Sequence, residues 1–390
     1  MQALKLTVKS LPVKLVVTFG TRPEGLKLAP LISELRRQPE IFDTRVCVTA
    51  QHREMLDQVL DLFSIKPDFD LNLMERGQRL GGFASRALTK LDELFRQEKP
   101  DLILVQGDTT TTFTAALAGF YNKAAIGHVE AGLRSFSKSA PFPEEINRRL
   151  TTHLADLHFA PTEGGRNNLL REGIDPSRIF VTGNTIVDTL QRMVGYLDSG
   201  SLTAPLQERF PQLPTRFVLV TIHRRENHGK NLQEVCEAIG ELHDRLADVH
   251  FFFPVHLHPQ VQGPASQTLS GLPRVHLLPP LDYTSFVWLM RHSGLILSDS
   301  GGIQEECCAL GKRVLVMREV TERYEAIESG FATLVGCDKD RIVAAAIQAV
   351  QDGERPRLNA RNPFGDGRAA ERIVAVLASR ASHSSLEPDR

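Results

Sequence analysis

Residues 295–311 read LILSDSGGIQEECCALG, an apolar strand that runs into Ser300, Gly301 and Gly302 and then into a helix. Two glycines let the backbone approach a ligand closely, and a helix N-terminus offers free N–H groups and a positive dipole end to a phosphate. A nucleotide diphosphate fits that chemistry, although a tight strand-to-helix turn also uses Gly-Gly for steric reasons alone. Glu305 and Glu306 follow on the first turns, about 100° apart around the helix, so one of them can accept a vicinal ribose diol while the other meets solvent or a neighbour. A second glycine-containing turn, GTRPEGLK at 20–27, places Arg22 and Lys27 beside a helix start. Such a cation pair suits a phosphate-bearing substrate, and a solvated Arg and Lys is its plainer reading.

Three carboxylates and an imidazole also fall just after strands or at helix starts: Asp108 in QGDTTTT, Glu130 in HVEAGLRS, Glu144 in PFPEEINRR and His223 in TIHRREN. A single Asp at such a place is often a helix cap, and Asp108 before four threonines has that reading too. Together the four suit acid/base work on both faces of a sugar ring. His256-x-His258 in PVHLHP has metal-ligand character, but no third ligand stands at a convincing spacing, so no metal is expected. The five cysteines, Cys47, Cys236, Cys307, Cys308 and Cys337, form neither a disulfide framework nor a C-x-x-C pair. Vicinal Cys307 and Cys308 read as small apolar helix residues.

The elements that must position these groups are short β-branched runs alternating with helical-period segments, the pattern of parallel sheets covered by helices. Strands are predicted at Lys14–Phe19, Thr44–Thr49, Asp101–Val105, Ala125–Val129, Leu157–Ala160 and Ile179–Val181. A second series follows at Phe217–Thr221, His250–Val255, Val275–Leu277, Gly294–Ser298, Arg313–Met317 and Thr333–Val335. Helical spacing of apolar residues marks Arg53–Phe63 and Gly82–Glu98. The Ser-, Pro- and Gly-bearing stretch at 197–216 separates the two series. The fold class is therefore α/β, with two Rossmann-like doubly wound domains facing a cleft: residues 1–198, a linker at 199–216, and residues 217–365. Ligand is expected at the strand C-termini. The polar stretch at 381–390 is expected to be a disordered tail.

Composition limits the partners. The chain has 390 residues, 42% of them hydrophobic, and 46 Lys plus Arg against 47 Asp plus Glu, a formal charge of −1. That balance provides no bulk attraction to nucleic acid or an anionic membrane. Apolar runs are strand-length, as at Leu15–Phe19, far short of the roughly 20 residues that span a bilayer. The N-terminus shows no continuous apolar core and no small-residue cleavage site, so no secretory signal is expected and a cytoplasmic location is the expectation.

Taken together, the motifs resemble one family, the bacterial non-hydrolysing UDP-N-acetylglucosamine 2-epimerases. The matching segments are GTRPEGLKLAPLI at 20–32, QHREMLDQVL at 51–60, QGDTTTT at 106–112, GHVEAGLRS at 127–135 and PFPEEINRRLT at 141–151. They continue with HRREN at 223–227, PVHLHP at 254–259, SDSGGIQEE at 298–306, VLVMREVTER at 314–323 and NPFGDGRAAERI at 362–373. The resemblance implies a glycosyltransferase-B-like fold in which a final helix, residues 366–380, crosses back to the first domain. It also implies reversible interconversion of UDP-GlcNAc and UDP-ManNAc by anti elimination of UDP to 2-acetamidoglucal and re-addition, with no cofactor, neither NAD nor an obligatory metal, and a homodimer.

Carried over by motif, Asp108, Glu130, Glu144 and His223 form the acid/base group. Arg22, Lys27 and Arg323 act near the phosphates, Ser300, Gly301 and Gly302 bind the diphosphate, and Glu306 binds the ribose. Gln51, Gln78, Arg224 and His256 match an allosteric site for a second UDP-GlcNAc. The chain departs from the family pattern at His258, Tyr324 and Gly77, where relatives have Asn, Pro and often a basic residue. Competing readings are a hydrolysing 2-epimerase, an epimerase of a related UDP-2-acetamido sugar and a retaining glycosyltransferase of the same fold. The last has no need of so many acid/base carboxylates.

Overall fold

The computed structural model describes residues 12–50, 53–75, 77–222, 224, 227, 229–255, 259–353 and 361–382. These form two compact units, one reaching from the N-terminal side to Thr189 and resuming at Gly365, the other spanning Leu190–Phe364.

In the first unit the chain alternates strand and helix: β1 (Val13–Phe19), α1 (Arg22–Arg36), β2 (Phe42–Val48), α2 (Arg53–Leu62), β3 (Phe69–Asp70), α3 (Leu80–Glu98), β4 (Leu102–Gln106) and α4 (Thr110–Tyr121). It continues through β5 (Ala125–Val129), α5 (Glu144–Leu154), β6 (Leu157–Ala160), α6 (Glu163–Arg171), β7 (Ile179–Val181) and α7 (Thr185–Asp198). The described strands pair in parallel in the order β3-β2-β1-β4-β5-β6-β7, the doubly wound order whose direction of winding reverses between β1 and β4. Strand β1 shows why both faces need covering. Leu15, Val17 and Phe19 pack with Leu28, Leu31 and Leu35 of α1, whereas Val16 packs with Leu91 and Phe95 of α3 and Ala115 of α4.

In the second unit α8 (Thr203–Arg209) precedes β8 (Phe217–Thr221), α9 (Lys230–Arg245), β9 (His250–Pro254), α10 (Pro259–Leu269), β10 (Val275–Leu278), α11 (Tyr283–His292) and β11 (Leu295–Ser298). Then come α12 (Gly301–Leu310), β12 (Val314–Val316), α13 (Tyr324–Glu328), β13 (Ala332–Leu334) and α14 (Lys339–Gln351). Its sheet is again parallel, in the order β10-β9-β8-β11-β12-β13. Val218, Val220, Leu295 and Leu297 of the central strands pack with Val235, Ile239 and Leu242 of α9.

The boundaries differ from those read in the sequence. The division falls within α7, whose Thr189 hydroxyl donates to Leu26 O at 2.5 Å, while Arg291 reaches Asp198 at its far end at 2.6 Å. The stretch read as a linker holds α8, because Leu206 has a buried place to occupy. The last helix, α15 (Ala369–Ser382), belongs to the first unit: Ile373, Val374 and Leu377 join the core beside α1, and Asp188 accepts the N–H groups of Ala369 and Ala370 at 3.2 and 2.9 Å. It extends past the start of the expected tail, and residues 383–390 lie outside the described residues. No helix among the described residues is long and apolar enough to cross a membrane.

Candidate active site

Of the carboxylates read as acid/base groups, Asp108 and Glu130 stand just after β4 and β5, and Glu144 opens α5. Asp108 follows β4, and Thr109 rather than Asp108 caps α4, its hydroxyl accepting Thr112 N–H at 3.1 Å. The Asp108 carboxylate is thus left for another partner, the buried Arg148 guanidinium. Asn147 Nδ2 donates to the Asp108 carbonyl at 3.0 Å. Both residues lie one turn on from Glu144, the half-buried first residue of α5, so the start of that helix is fastened to the Asp108 turn. Arg148 also meets the fully buried Glu145 at 3.4 Å, whose Oε2 accepts Ser135 N–H at 3.0 Å.

Glu130 comes directly after β5 with a left-handed backbone, φ 65°, an uncommon conformation for a residue with a Cβ. Its Oε2 accepts from Lys27 Nζ and, at 2.8 Å, from Asn184 Nδ2. Lys27, read from sequence as a cation near the phosphates, is buried and its ammonium pairs with Glu130. Arg22, at the first position of α1, is half-buried. Beneath these turns His128 Nε2 meets Gly107 O at 2.7 Å, and burial pushes the imidazole down to about 4, so the ring is neutral and donates from Nε2.

Glu24 had no role in the sequence reading, yet it is the buried acceptor at which two of these turns meet. Its Oε2 accepts from Gly20 N–H, Thr21 N–H and the Thr21 hydroxyl at 3.0, 2.8 and 2.8 Å, and its Oε1 accepts from the Thr109 hydroxyl at 2.7 Å. The T-x-x-E spacing of a capping box at Thr21–Glu24 was the available signal for the first group of contacts.

The second unit carries the residues read as nucleotide-binding. Ser300 is the N-cap residue of α12, its N–H held by Ser298 Oγ at 3.0 Å. The two glycines behind it differ. A Cβ on Gly301 would lie 2.7 Å from Arg323 Nη1 and 2.9 Å from its Cζ, so glycine there makes room for the guanidinium; a Cβ on Gly302 would meet nothing within 4 Å. Arg323 is buried, donating to Glu305 Oε1 at 2.9 Å and to Glu322, which also pairs with Arg318 at 3.1 Å. Its charge is therefore shared with carboxylates, as the sequence did not indicate. Glu306 accepts from the Tyr283 hydroxyl at 2.8 Å, which fixes one carboxylate oxygen. Burial pushes the Cys307 and Cys308 thiols upward, in keeping with small apolar residues of α12.

Among the residues read as allosteric, Gln78 accepts from Arg86 at 2.8 Å and from Glu75 N–H at 3.2 Å in the first unit, while Arg224 N–H donates to the buried Asp299 at 2.9 Å in the second. Gln51 and His256 lie outside the described residues, as does His223 of the acid/base group. The described residues therefore bring Asp108, Glu130 and Glu144 onto one set of turns, and Ser300, Gly301, Gly302, Glu306 and Arg323 around one helix start.

The profile of the UDP-N-acetylglucosamine 2-epimerase family matches residues 33–378 of this chain. The chain belongs to that family. A UDP-N-acetylglucosamine 2-epimerase of Salmonella typhimurium is 50% identical over 372 residues, covering 94% of this chain and 99% of its own. The crystal structure of a UDP-GlcNAc 2-epimerase from Neisseria meningitidis bound to UDP-GlcNAc superposes with a TM-score of 0.91 at 45% identity, covering 94% of this chain and all of that one. The enzyme of Methanocaldococcus jannaschii, in complex with UDP-GlcNAc and UDP, gives a TM-score of 0.83 at 35% identity, over 94% and 100% of the two chains. The glycosyltransferase-B-like, two-unit α/β fold is thus that of the 2-epimerase family.

Proposed function

We propose that the chain is a non-hydrolysing UDP-N-acetylglucosamine 2-epimerase, interconverting UDP-GlcNAc and UDP-ManNAc. The observation that carries this reading is the end-to-end likeness to 2-epimerases, 50% identity across 99% of a curated relative's length. The site chemistry agrees with it. A base removes the C2 proton, the C1–C2 double bond forms, and the C1–O bond breaks with its electron pair passing to UDP; re-addition of UDP and protonation of C2 on the other face complete the exchange. The sequence is redox-neutral, so no nicotinamide is needed.

Asp108, Glu130, Glu144 and His223 supply the acid and base groups, each carboxylate on a turn held by its neighbours. Lys27 pairs with Glu130 and helps hold it in place. The departing diphosphate is received by the N–H groups at the start of α12 and by Arg323, Glu306 takes the ribose diol, and Arg22 acts near the phosphates. Gln51, Gln78, Arg224 and His256 form the second, regulatory UDP-GlcNAc site. The enzyme works as a cytoplasmic homodimer and supplies an activated sugar for cell-surface polysaccharide.

The test is an NMR time course with UDP-GlcNAc in D2O. The product UDP-ManNAc carries deuterium at C2, because the proton removed on one face and the one returned on the other exchange with solvent. A hydrolysing epimerase gives free ManNAc and UDP, and a glycosyltransferase leaves C2 protonated. Either outcome overturns the assignment.

A further inference from the structure

Glu24 is not needed by the chemistry above, and its surroundings ask for an explanation. It is 1% exposed, at the third position of α1. A capping box accounts for its Oε2, which holds Gly20 N–H, Thr21 N–H and the Thr21 hydroxyl, all within five residues. It does not account for Oε1. That oxygen accepts from the Thr109 hydroxyl at 2.7 Å and lies 3.0 Å from the Thr112 hydroxyl, whose single proton has Gln106 O at 2.7 Å as its other acceptor. These partners stand 85 and 88 residues away, on the turn after β4 and the first turn of α4. Helix α1 would be as well capped without them.

The two turns so joined flank the point between β1 and β4 where the winding of the sheet reverses. One carries Arg22, the neighbour of Thr21; the other carries Asp108, the neighbour of Thr109. Two backbone amides and the Thr21 and Thr109 hydroxyls donate to it, so the carboxylate is used as an acceptor on both oxygens. Glu24 is the shared partner of both.

We infer that Glu24 is a positioning residue that locks the Arg22 turn and the Asp108 turn to each other through its two carboxylate oxygens. The inference rests on the catalytic reading of Asp108 for its effect on turnover, but the locking itself is a property of the fold. Glu24→Asp separates the two halves of the bridge. A shorter carboxylate still serves the amides of Gly20 and Thr21 but withdraws from Thr109 and Thr112. Glu24→Gln keeps the length: its oxygen can face the amides and its NH2 group can donate to the Thr109 and Thr112 oxygens, so it is the conservative rescue.

The experiment is hydrogen–deuterium exchange on the full chain, read on segments 20–25 and 107–113, together with kcat and KM for UDP-GlcNAc. In Glu24→Asp the 107–113 segment exchanges faster while 20–25 stays protected, and kcat falls about 10- to 100-fold with KM changed less than about threefold, the signature of a displaced catalytic group. Glu24→Gln restores protection and returns kcat to within about fivefold of the parent. Parental exchange at 107–113 in Glu24→Asp overturns the locking, and so does an equal kcat loss in the Gln and Asp variants. If the parent chain fails to epimerise UDP-GlcNAc, the function assignment falls while the exchange data still decide the bridge.

Discussion

Lys27 of α1 and Glu130 just after β5, 103 residues apart in sequence, form a buried ion pair in the first unit, and Asn184 Nδ2 donates to the same Glu130 oxygen. A cation buried with its carboxylate is poorly replaced by solvent. Lys27→Met is therefore expected to destabilise the first unit by about 3–5 kcal/mol, because it leaves a carboxylate buried without its ammonium. Lys27→Met combined with Glu130→Gln should cost less than the sum of the single changes. A urea-denaturation double-mutant cycle that comes out additive would remove the pair from the account.

Neutralising Asp108, Glu130 or Glu144 as the amide should lower turnover by about 100-fold or more, since each would hold or move a proton at the sugar. UDP affinity should change little, because Ser300, Gly301, Gly302, Glu306 and Arg323, most of the residues read as holding the nucleotide, belong to the other unit. Steady-state kinetics beside calorimetric UDP titration makes the comparison. A variant with near-parental turnover loses its catalytic role.

Glu306 and Tyr283 give a graded pair. Glu306→Ala removes a charged acceptor from the ribose hydroxyls and should weaken UDP binding by about 1.5–3 kcal/mol, whereas Tyr283→Phe removes only the bond that orients it, about 0.5–1.5 kcal/mol. Unchanged UDP affinity in the alanine variant would put the ribose elsewhere.

Much of this arrangement was legible in the sequence, and what escaped has physical reasons. The β-branched runs located nearly every strand because a strand buried on both faces has little choice of residue type. Strand β3, Phe69–Asp70, is too short to leave a period and escaped notice. Helix α8 was hidden in a stretch of turn-forming residues, where the burial of Leu206 outweighs local propensity. The residue types of the site could be named, but their pairing could not. Nothing in GTRPEGLK says that Lys27 will meet Glu130 rather than a phosphate, and nothing in the TER segment says that Arg323 will share its charge with Glu305 and Glu322. Such partners are chosen by the topology of the sheet, across tens of residues. The capping box at Thr21–Glu24 was readable in half, since its local contacts follow from spacing and its contacts to α4 do not.

Gly301 and Gly302 separate a steric glycine from one that leaves space. Gly301→Ala drives a methyl into the Arg323 guanidinium, which cannot swing aside without leaving Glu305 and Glu322, so a loss of about 1–3 kcal/mol in stability is expected. Gly302→Ala meets nothing within 4 Å and should leave the melting temperature unchanged. A fall in UDP affinity in Gly302→Ala at unchanged stability would mark the place where diphosphate approaches the backbone. Parental affinity would move the diphosphate away from Gly302.

Acid should loosen the first unit. His128 of β5 and His158 of β6 are register partners, both buried, and neither ring nitrogen of His158 has a hydrogen-bond partner among the described residues. Burial depresses both imidazoles, His128 to about 4 and His158 well below its ordinary value, with the Arg134 guanidinium adding to the effect on each. An unfolded histidine takes up its proton near 6.5, the folded His128 only near 4, so between those values the unfolded state binds more protons. Stability from this source is complete above pH 6.5 and drains away as pH falls toward 4, on the order of 3 kcal/mol for His128 alone. Urea midpoints should accordingly drop between pH 6.5 and 5. His158→Phe, which fills the site without a titrating group, should make that slope shallower. An identical slope in the variant would mean that other groups govern the acid limb and that His158 is not coupled to folding as its burial requires.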